Sequence, residues 1–302
     1  MAENKKKKVT ASAPKTEQKK TETPAKKKKE IVEEAPKKVE APAKKTKAPA
    51  KEEPLKTEPP KKQKKNKKSR DSRDFLVAAG NAPFAYVEAY KALRTNLNFI
   101  SSTSDVKSIV LTSAIPREAK SNVSINLAIT MATEGKKVLL VDCDLRKPAL
   151  HKYLNLGNHR QGLTDVLVGK ADVEDCILKF KDVKINALPA GTIPPNPSEL
   201  LAQERMKNLL EKLKEEYDFI ILDAPPISVV TDAAVLGHYV DGALLVVRSK
   251  FAPIENVQLA KKKLENLEIP ILGVVLTRYN TKKSLKNSAY SYSYGYDYYG
   301  ES

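Results

Sequence analysis

The sequence predicts an α/β fold in which helices cover both faces of a parallel sheet. Between residues 82 and 279, short apolar runs rich in Val, Ile and Leu alternate with longer segments whose apolar residues recur at helical spacing. Continuous apolar runs indicate strands that are buried on both faces, and such strands are typical of parallel sheets. Because each run is followed by a helical segment, one domain of strand–helix units accounts for this part of the chain.

The elements are expected in a regular order along this domain. FAYVEAYKALRTNLNFI (84–100) has apolar residues at helical spacing, and SIVLTSA (108–114) is a run that suits a buried strand. Residues 162–180 indicate short helices, and residues 198–217 a clear amphipathic helix with five leucines. The remaining predicted strands are 136–144, 185–191, 219–226, 242–250 and 271–279, and the remaining predicted helices are 121–134 and 254–267.

A basic arm precedes the domain. Residues 1–74 contain 26 Lys and Arg against 12 Asp and Glu, with eight prolines and no hydrophobic periodicity. Such a composition cannot bury enough apolar surface to fold, so we predict a disordered arm over residues 1–81. Its stretch KKQKKNKKSR (61–70) has seven basic residues and no acidic one, which suits an anionic membrane surface or another polyanion. A solvated, solubilising spacer is the alternative, and the sequence leaves both open.

Several classes of protein do not fit this composition. No apolar stretch follows the basic N-terminal residues, as a signal peptide requires, and no window approaches 18 consecutive apolar residues. The two cysteines, Cys143 and Cys176, fit neither a disulfide framework nor a metal site. We therefore expect a reducing, cytoplasmic location, with Cys143 as a packing residue between two aspartates.

Three strand ends carry the chemistry of a phosphate site. Ligands of an open parallel sheet lie beyond the carboxyl ends of its strands. Lys120 and Ser121 open a helix after the first strand, where a lysine can reach the β- and γ-phosphates and a serine hydroxyl can bind Mg²⁺. Two later strands end in DCDLR (142–146) and in Asp223, and carboxylates are suitable Mg²⁺ ligands. Together these ends predict a P-loop NTPase-like domain that uses ATP and Mg²⁺.

The loop before Lys120 departs from the glycine-rich pattern of a phosphate loop. Ala119 stands where glycine is expected, Arg117 where another glycine is common, and Ala114 at the first glycine of the motif. If position 119 requires a positive φ, alanine costs about 1–2 kcal/mol there, and its methyl group would crowd the phosphate. The loop alone is thus a weak motif, and its combination with the two aspartate-bearing strand ends is much stronger.

A tyrosine-rich segment ends the chain. The last fifteen residues hold six of the twelve tyrosines and no Leu, Ile, Val or Phe, so we predict that residues 280–302 form a flexible tail. A nucleotide site and an array of phenol hydroxyls on one chain suggest a kinase that is its own substrate. A sticky aromatic tail, prone to β-association, is the alternative. The expected phosphoacceptors are Tyr290, Tyr292, Tyr294, Tyr296, Tyr298 and Tyr299.

Several sequence blocks together resemble a known family, the bacterial tyrosine kinases of the capsule and exopolysaccharide systems. The resemblance covers residues 84–302 and is to the soluble cytoplasmic form found in Gram-positive bacteria. The tyrosine cluster also lies where the family has it. The matching blocks are EAYKALRTNL (88–97), VLLVDCDLRKP (138–148), GLTDVLVGK (162–170), IPPNPSELL (193–201) and FIILDAPP (219–226).

The resemblance implies a function and a set of site residues. It implies an ATP-dependent tyrosine autokinase that phosphorylates its own tyrosine cluster in trans within a homo-oligomeric ring, regulating polysaccharide biosynthesis and export. It also implies a transmembrane activator of the polysaccharide co-polymerase type, recruitment to the inner face of the plasma membrane, and a cognate tyrosine phosphatase. The residues implied are Lys120, Asp144 and Arg146 for catalysis; Pro116, Arg117, Glu118, Ala119, Lys120, Ser121 and Asn122 for nucleotide binding; Ser121, Asp142 and Asp223 for Mg²⁺; and Glu88, Lys91 and Arg94 for the oligomer interface.

The role of Asp144 has two interpretations. It is the best candidate to accept the proton of an incoming tyrosine hydroxyl, and the alternative is a second metal ligand without proton transfer.

Two further hypotheses stay open. Ala119 and Arg117 replace loop glycines, Asn122 replaces a usual threonine, and Thr277 stands where related proteins often carry an adenine-binding asparagine. These departures favour a catalytically weak pseudokinase or scaffold of the same family. A partitioning or cell-division ATPase of the same superfamily would carry an extra lysine early in the loop, where this chain has Ile115, and would give the tyrosines no role.

Overall fold

Seven strands form one sheet at the centre of the domain. The computed structural model describes residues 76–78, 82–156 and 161–279, so most of the predicted arm and all of the predicted tail lie outside the described residues. In these ranges the strand order across the sheet is β3-β4-β2-β5-β1-β6-β7. The strands are β1 (Ser108–Ser113), β2 (Val138–Asp142), β3 (Leu178–Phe180), β4 (Ile185–Leu188), β5 (Phe219–Asp223), β6 (Gly242–Arg248) and β7 (Ile271–Thr277).

The sheet is parallel except at one edge. The strands β1, β2, β4, β5, β6 and β7 pair in parallel, as the sequence predicted. The three-residue strand β3 runs antiparallel to β4, with Leu178 opposite Ala187 and Phe180 opposite Ile185. The predicted parallel sheet therefore has one antiparallel strand at this edge. Residues 178–180, which were expected to be helical, form that strand. Such a short, half-exposed edge strand carries too little apolar sequence to be recognised.

Nine helices connect the strands in the described ranges, and some boundaries differ from the prediction. The helix expected over 198–217 is two helices, because Ala202 ends the first and Gln203, with φ −70° and ψ 148°, is extended before the second. α3 and α8 were not predicted, because they are too short to show helical periodicity. The helices are α1 (Phe84–Ser104), α2 (Lys120–Ala132), α3 (Leu150–Tyr153), α4 (Leu163–Leu167), α5 (Val173–Cys176), α6 (Pro197–Leu201), α7 (Glu204–Glu216), α8 (Asp232–Gly237) and α9 (Ile254–Asn266).

Two apolar cores, one on each face of the sheet, confirm the predicted layers. Alternate strand residues enter opposite cores, so Leu139 and Val141 of β2 join one cluster while Leu140 joins the other. α4 to α9 contribute to the first core, and α1 and α2 contribute to the second. Leu76 is buried in the second core, so contacts with the domain begin before the predicted boundary at residue 82.

This layout brings the predicted site residues together at the end of the sheet where the parallel strands finish. β1, β5 and β2 are neighbours and point the same way, so the loops that follow them meet at their carboxyl ends. α2 starts at Lys120, directly after the loop that follows β1, and almost all of this helix is buried. None of the described helices is both long and apolar enough to cross a lipid bilayer.

Candidate functional site: a phosphate loop with three aspartates

The loop between β1 and α2 has the backbone of a phosphate loop without its glycines. Ala119 has φ 70° and ψ 23°, and Arg117 also has φ 70°, so both residues are left-handed. These are two of the positions where the sequence lacks an expected glycine. Each left-handed conformation costs about 1–2 kcal/mol for a residue with a Cβ atom. The conditional expectation for position 119 is therefore met, and the surrounding structure must hold the loop in this conformation.

Glu118 provides part of that support. Its side chain is buried, and its two carboxylate oxygens accept the main-chain N–H groups of Ile115 at 2.9 Å and of Arg248 at 3.0 Å. Its main-chain carbonyl accepts the hydroxyl of Thr277 at 3.0 Å. Glu118 thus ties the loop to itself and to the ends of β6 and β7. The sequence placed Glu118 among the nucleotide-binding residues, but the carboxylate points into the protein, so contact with a phosphate would have to come from its main chain.

Lys120 lies among carboxylates at the foot of the loop. Its Nζ is 2.6 Å from Oδ1 of Asp223 and 4.0 Å from Oδ2 of Asp144. The hydroxyl of Ser124, one turn further along α2, also donates to Oδ1 of Asp223, at 3.0 Å. Asp223 is completely buried, and its Oδ2 has no hydrogen-bond partner among the described residues. Ser124 was not predicted, although its spacing of four residues from Lys120 on a helix is the signal that places it there.

Asp142 organises the loop that follows β2. Its Oδ2 accepts the N–H groups of Ala149 and Leu150, both at 3.1 Å, and its Oδ1 accepts that of Asp144 at 3.3 Å. Burial raises the pKa of Asp142 to about 7, with repulsion from Asp223 adding to the effect. Burial also raises the pKa of Asp144, and the ammonium of Lys120 opposes that rise. The three aspartates are therefore close enough to influence one another electrostatically.

Arg146 is held by residues that the sequence did not single out. Its Nε and one Nη bind the two oxygens of Asp232 at 2.9 and 3.0 Å, and the same Nη donates to the hydroxyl of Ser198 at 2.8 Å. Asp232 is completely buried at the start of α8, and Ser198 lies in α6. The hydrogen bonds that Arg146 donates to Asp232 raise the pKa of the guanidinium above its usual value. No short-range pattern joins Arg146 to a residue 86 positions away, so the sequence offered no signal for this pair.

Other predicted site residues have mixed placements. Pro116 and Arg117 are exposed at the tip of the loop, and Ser121 is half-buried at the start of α2. The Asn122 side chain instead faces α1, where its Oδ1 accepts the hydroxyl of Tyr86 at 3.0 Å. Cys143 is fully buried beside Asp142, and burial raises the pKa of its thiol, so it is a packing residue as predicted.

The predicted interface residues of α1 are not equally available. Glu88 and Lys91 form an ion pair of 2.7 Å on the surface of the helix. Arg94 turns inward to the end of α2, where it donates to the carbonyl of Thr130 at 3.1 Å and to the hydroxyl of Thr133 at 2.9 Å, and it pairs with Glu134 at 2.9 Å. Only 16% of the Arg94 side chain is exposed. The predicted phosphoacceptors, Tyr290 to Tyr299, lie outside the described residues.

The residues at the strand ends fit a nucleotide with a divalent cation. Asp223 offers a buried carboxylate oxygen with no partner among the described residues, and Lys120 brings a positive charge to the same place. The Ser121 hydroxyl lies in the first turn of α2. The described residues contain no group of three His, Cys, Asp or Glu side chains arranged around a metal position. Mg²⁺ keeps several water and phosphate ligands and needs only one or two carboxylates, so the Asp223 carboxylate and the Ser121 hydroxyl suit this ion. A cavity of about 420 Å³, lined by Lys170, Arg205 and Lys212 among others, lies elsewhere, and none of the site residues lines it.

Comparisons with known proteins agree with this geometry. A family model described as an AAA domain matches residues 108–289. The tyrosine-protein kinase YwqD of Bacillus subtilis is 40% identical over 229 residues, which cover 76% of this chain and 94% of YwqD. The solved kinase domain of the Escherichia coli tyrosine kinase ETK has a TM-score of 0.64 and 34% identity, covering 77% of this chain and 89% of that one. The septum site-determining protein MinD of Pyrococcus horikoshii, complexed with Mg-ADP, has a TM-score of 0.50 and 27% identity, covering 58% of this chain and 71% of that one. The phosphate loop and its aspartates thus belong to a P-loop NTPase-like fold, and the chain is a member of the bacterial tyrosine-protein kinase family.

Proposed function

We propose that this tyrosine kinase transfers the γ-phosphoryl group of ATP to its own C-terminal tyrosines, in trans between neighbouring subunits of a ring. The observation that carries the proposal is the cluster of Lys120, Asp144 and Asp223 at the foot of the phosphate loop, with one oxygen of Asp223 buried and unpartnered among the described residues. The predicted tail follows β7, and the carboxyl end of β7 lies at the same end of the sheet as this cluster.

The described residues suit distinct tasks in phosphoryl transfer. Lys120 moves from Asp223 to the β- and γ-phosphates, while the main chain of residues 116–122 surrounds them. Ser121 and Asp223 would hold Mg²⁺, directly or through water, together with Asp142. When bound, Mg²⁺ would supply positive charge at the phosphate oxygens and so neutralise the charge that develops during transfer. These residues therefore position the donor, and most of the rate enhancement comes from position and charge.

Asp144 is the proposed acceptor of the tyrosine proton. The phenol oxygen attacks the γ-phosphorus, the new O–P bond forms as the bond to the β-phosphate oxygen breaks, and ADP leaves. The phenol proton passes to the Asp144 carboxylate, whose Oδ2 is 4.0 Å from Lys120 Nζ and thus near the transferred group. If Asp144 instead binds a metal, Asp144→Asn raises the Mg²⁺ concentration needed for half-maximal rate rather than changing the pH dependence of the rate.

The tail supplies both the substrate and a switch. From Thr277 to Tyr299 there are 22 residues, which reach on the order of 70 Å when extended, enough to enter a neighbour's site. Each phosphate adds about −1.5 to −2 charges. Several phosphates repel one another and the aspartates of the site, so a phosphorylated tail leaves the site and loosens the ring. A cognate phosphatase would then restore the unmodified tail.

The proposed setting is polysaccharide biosynthesis and export at the inner face of the plasma membrane. A transmembrane activator of the polysaccharide co-polymerase type would recruit the cytoplasmic kinase there. Residues 61–70, with seven basic side chains, would add reversible, salt-sensitive attraction to anionic lipid. Flotation with phosphatidylserine vesicles at low and high salt tests this attraction. Binding that is independent of both lipid charge and salt contradicts this attraction. Stronger retention on nucleic acid than on vesicles indicates that nucleic acid is the polyanion bound.

Intact mass spectrometry after incubation with ATP and Mg²⁺ tests the kinase. We expect mass increments of one phosphate each, their loss in Lys120→Ala, and their retention in Lys207→Ala, a matched change on the surface of α7. Mapping is expected to place the phosphates on Tyr290–Tyr299. Phosphates confined to other residues would contradict the proposed acceptor.

A pseudokinase or scaffold is the second candidate, and a specific observation favours it. Arg117 and Ala119 adopt left-handed conformations that suit glycine, so the loop has less room for a nucleotide and is more strained than a glycine-rich loop. Phosphorylation that occurs only when an active relative is added would identify this chain as a substrate. Phosphorylation of the purified protein alone, lost with Lys120→Ala, would exclude this candidate.

A further inference from the structure

A partly buried ion pair joins two loops that flank the candidate site. The loop 143–149 follows β2 and carries Asp144 and Arg146, and the loop 224–231 follows β5 and leads to Asp232. β2 and β5 are neighbouring parallel strands, so the two loops leave the sheet side by side. Arg146 reaches across from the first loop to Asp232 with two hydrogen bonds of 2.9 and 3.0 Å.

A serine extends this contact to a third element. The Ser198 hydroxyl of α6 bonds both the guanidinium of Arg146 and the carboxylate of Asp232, and the Thr231 hydroxyl donates to Ser198 at 3.2 Å. Asp232 is completely buried, whereas 37% of the Arg146 side chain is exposed. In the described part of the chain Arg146 is the cation paired with Asp232. The buried carboxylate is therefore the fixed point, and it holds the arginine of the neighbouring loop.

This geometry changes the expected role of Arg146. A guanidinium that binds a carboxylate through two parallel hydrogen bonds has its charge largely compensated and its direction set. It is therefore suited to hold a loop more than to neutralise charge on a transferred phosphate. The same loop carries Asp144, two residues earlier, whose Oδ1 accepts the N–H of Lys147 at 3.0 Å. The position of Asp144 thus depends on a loop that Arg146 anchors.

We propose that Asp232 is a positioning residue for phosphoryl transfer, which acts through Arg146 to fix the loop that carries Asp144. This inference rests on the proposed kinase function, in which Asp144 acts only during transfer. Lys120 and Ser121 lie at the start of α2 and not in this loop. The ion pair between Asp232 and Arg146, here called the clasp, therefore bears on the transfer step and not on nucleotide affinity. A displacement of about 1 Å at a reacting group can cost on the order of 100-fold in rate.

A double-mutant cycle in the full chain tests the clasp. Asp232→Asn keeps the shape of the side chain but removes its charge and one acceptor, and Arg146→Lys keeps the charge but not the two-pronged geometry. For each we expect the rate of phosphate incorporation at saturating ATP to fall about 10- to 100-fold, with Mg·ADP affinity changed less than about threefold. The double variant is expected to be no slower than the slower single variant, because both changes break one contact.

A matched control separates positioning from general loss of stability. Asp241→Asn removes a carboxylate that joins β1 to β6 at the opposite end of the sheet, where the parallel strands start. We expect it to lower the melting temperature while leaving the rate at saturating ATP unchanged. Hydrogen exchange supplies a readout that does not need activity: in Asp232→Asn, the amides of Lys147, Ala149 and Leu150 should exchange faster than in wild type, and in Asp241→Asn they should not.

The outcomes are distinguishable. A folded Asp232→Asn variant with a wild-type rate would overturn the clasp. It would also be overturned if the rate of the double variant fell by the product of the losses in the two single variants. A rate loss that is matched by Asp241→Asn would also overturn it, because both would then report stability. If wild type transfers no phosphate, the proposed function fails, and hydrogen exchange alone decides the clasp. Unchanged exchange at the amides of Lys147, Ala149 and Leu150 in Asp232→Asn then overturns it.

Discussion

At the scale of single residues, the phosphate loop is held in place by side chains that a glycine-rich loop does not need. Ala119 and Arg117 are already left-handed in the structure, so their strain is part of the folding free energy. Strain relief at position 119 should appear in stability, and only removal of the methyl group should appear in affinity.

Ala119→Gly is therefore expected to have two separable effects. It relieves about 1–2 kcal/mol of left-handed strain, while the greater chain entropy of unfolded glycine costs about 0.5–1 kcal/mol. The free energy of unfolding should therefore rise by about 0–1.5 kcal/mol. Removal of the methyl group should also tighten Mg·ADP binding, measured by calorimetry. Ala128→Gly, inside α2, is the control and should destabilise the protein by about 1 kcal/mol. Equal destabilisation by both changes would mean that position 119 is not strained.

Glu118→Gln should loosen the same loop. The carboxylate accepts two main-chain N–H groups from inside the protein, and an amide can accept only one of them without turning its own NH₂ towards the other. We expect a loss of about 1–3 kcal/mol in unfolding free energy and weaker Mg·ADP binding. Thermal melts with and without Mg·ADP measure both effects. Unchanged stability and affinity would show that the clamp on Ile115 and Arg248 does not support the loop.

At the scale of elements, a half-buried acidic side chain joins strand starts at the end of the sheet opposite the site. Asp241, just before β6, accepts the N–H groups of Lys107 and Ser108 at 2.9 and 2.7 Å and pairs with Lys214 of α7 at 2.8 Å. Burial raises the pKa of Asp241, but the hydrogen bonds from Lys214, Lys107 and Ser108 outweigh it and hold the pKa below its usual value. This carboxylate therefore stabilises the fold in its charged form.

Asp241→Asn should thus destabilise the protein in a pH-dependent way. A pKa that is lower in the folded state contributes stability above the unfolded value of about 3.9, and that contribution is lost as the pH falls through the folded value. We expect a loss of about 1–3 kcal/mol near pH 7 that shrinks below about pH 4, measured by urea unfolding at several pH values. A difference between variant and wild type that stays constant from pH 7 to pH 3 would contradict this assignment.

The elements that were predicted well are those with long local signals. α1, α7 and α9 carry helical periodicity over at least 13 residues, and the central strands are unbroken apolar runs. The break at Ala202 and Gln203 was missed because neither residue is a helix breaker by type. β3 was missed because its pairing with β4 supplies the stability that its own three residues lack.

At the scale of the whole molecule, the structure separates the predicted ring interface into two parts. Glu88 and Lys91 are paired on the surface of α1, where a neighbouring subunit can reach them. Arg94 is mostly covered and holds α1 against the end of α2. An Arg94→Ala change would therefore alter the domain itself, so the surface pair provides the cleaner test of assembly.

Sedimentation of Glu88→Ala/Lys91→Ala tests the ring. We expect wild type to sediment as an oligomer and the double variant as a smaller species with an unchanged melting temperature, since exposed pairs contribute only about 0–1 kcal/mol to stability. Lys207→Ala/Glu211→Ala removes a comparable exposed pair from α7 and should leave the oligomer intact. Monomeric wild type, or equal loss of assembly in both double variants, would contradict a ring held together by Glu88 and Lys91.

The sequence by itself determined the fold class, the faces of the sheet and the identity of the site loop, because these follow from local apolar runs and from chemistry at strand ends. It also placed Lys120, Asp142, Asp144 and Asp223 at one end of the sheet, since neighbouring parallel strands have their carboxyl ends on the same side.

Only the tertiary structure decided what each side chain does there. It turned Glu118 inward, paired Arg146 with Asp232 at a separation of 86 residues, and directed Arg94 to α2. The physical reason is that a buried polar group takes whichever partner the packed elements bring within hydrogen-bond distance, and that choice is made across the whole chain and not along a local stretch of it.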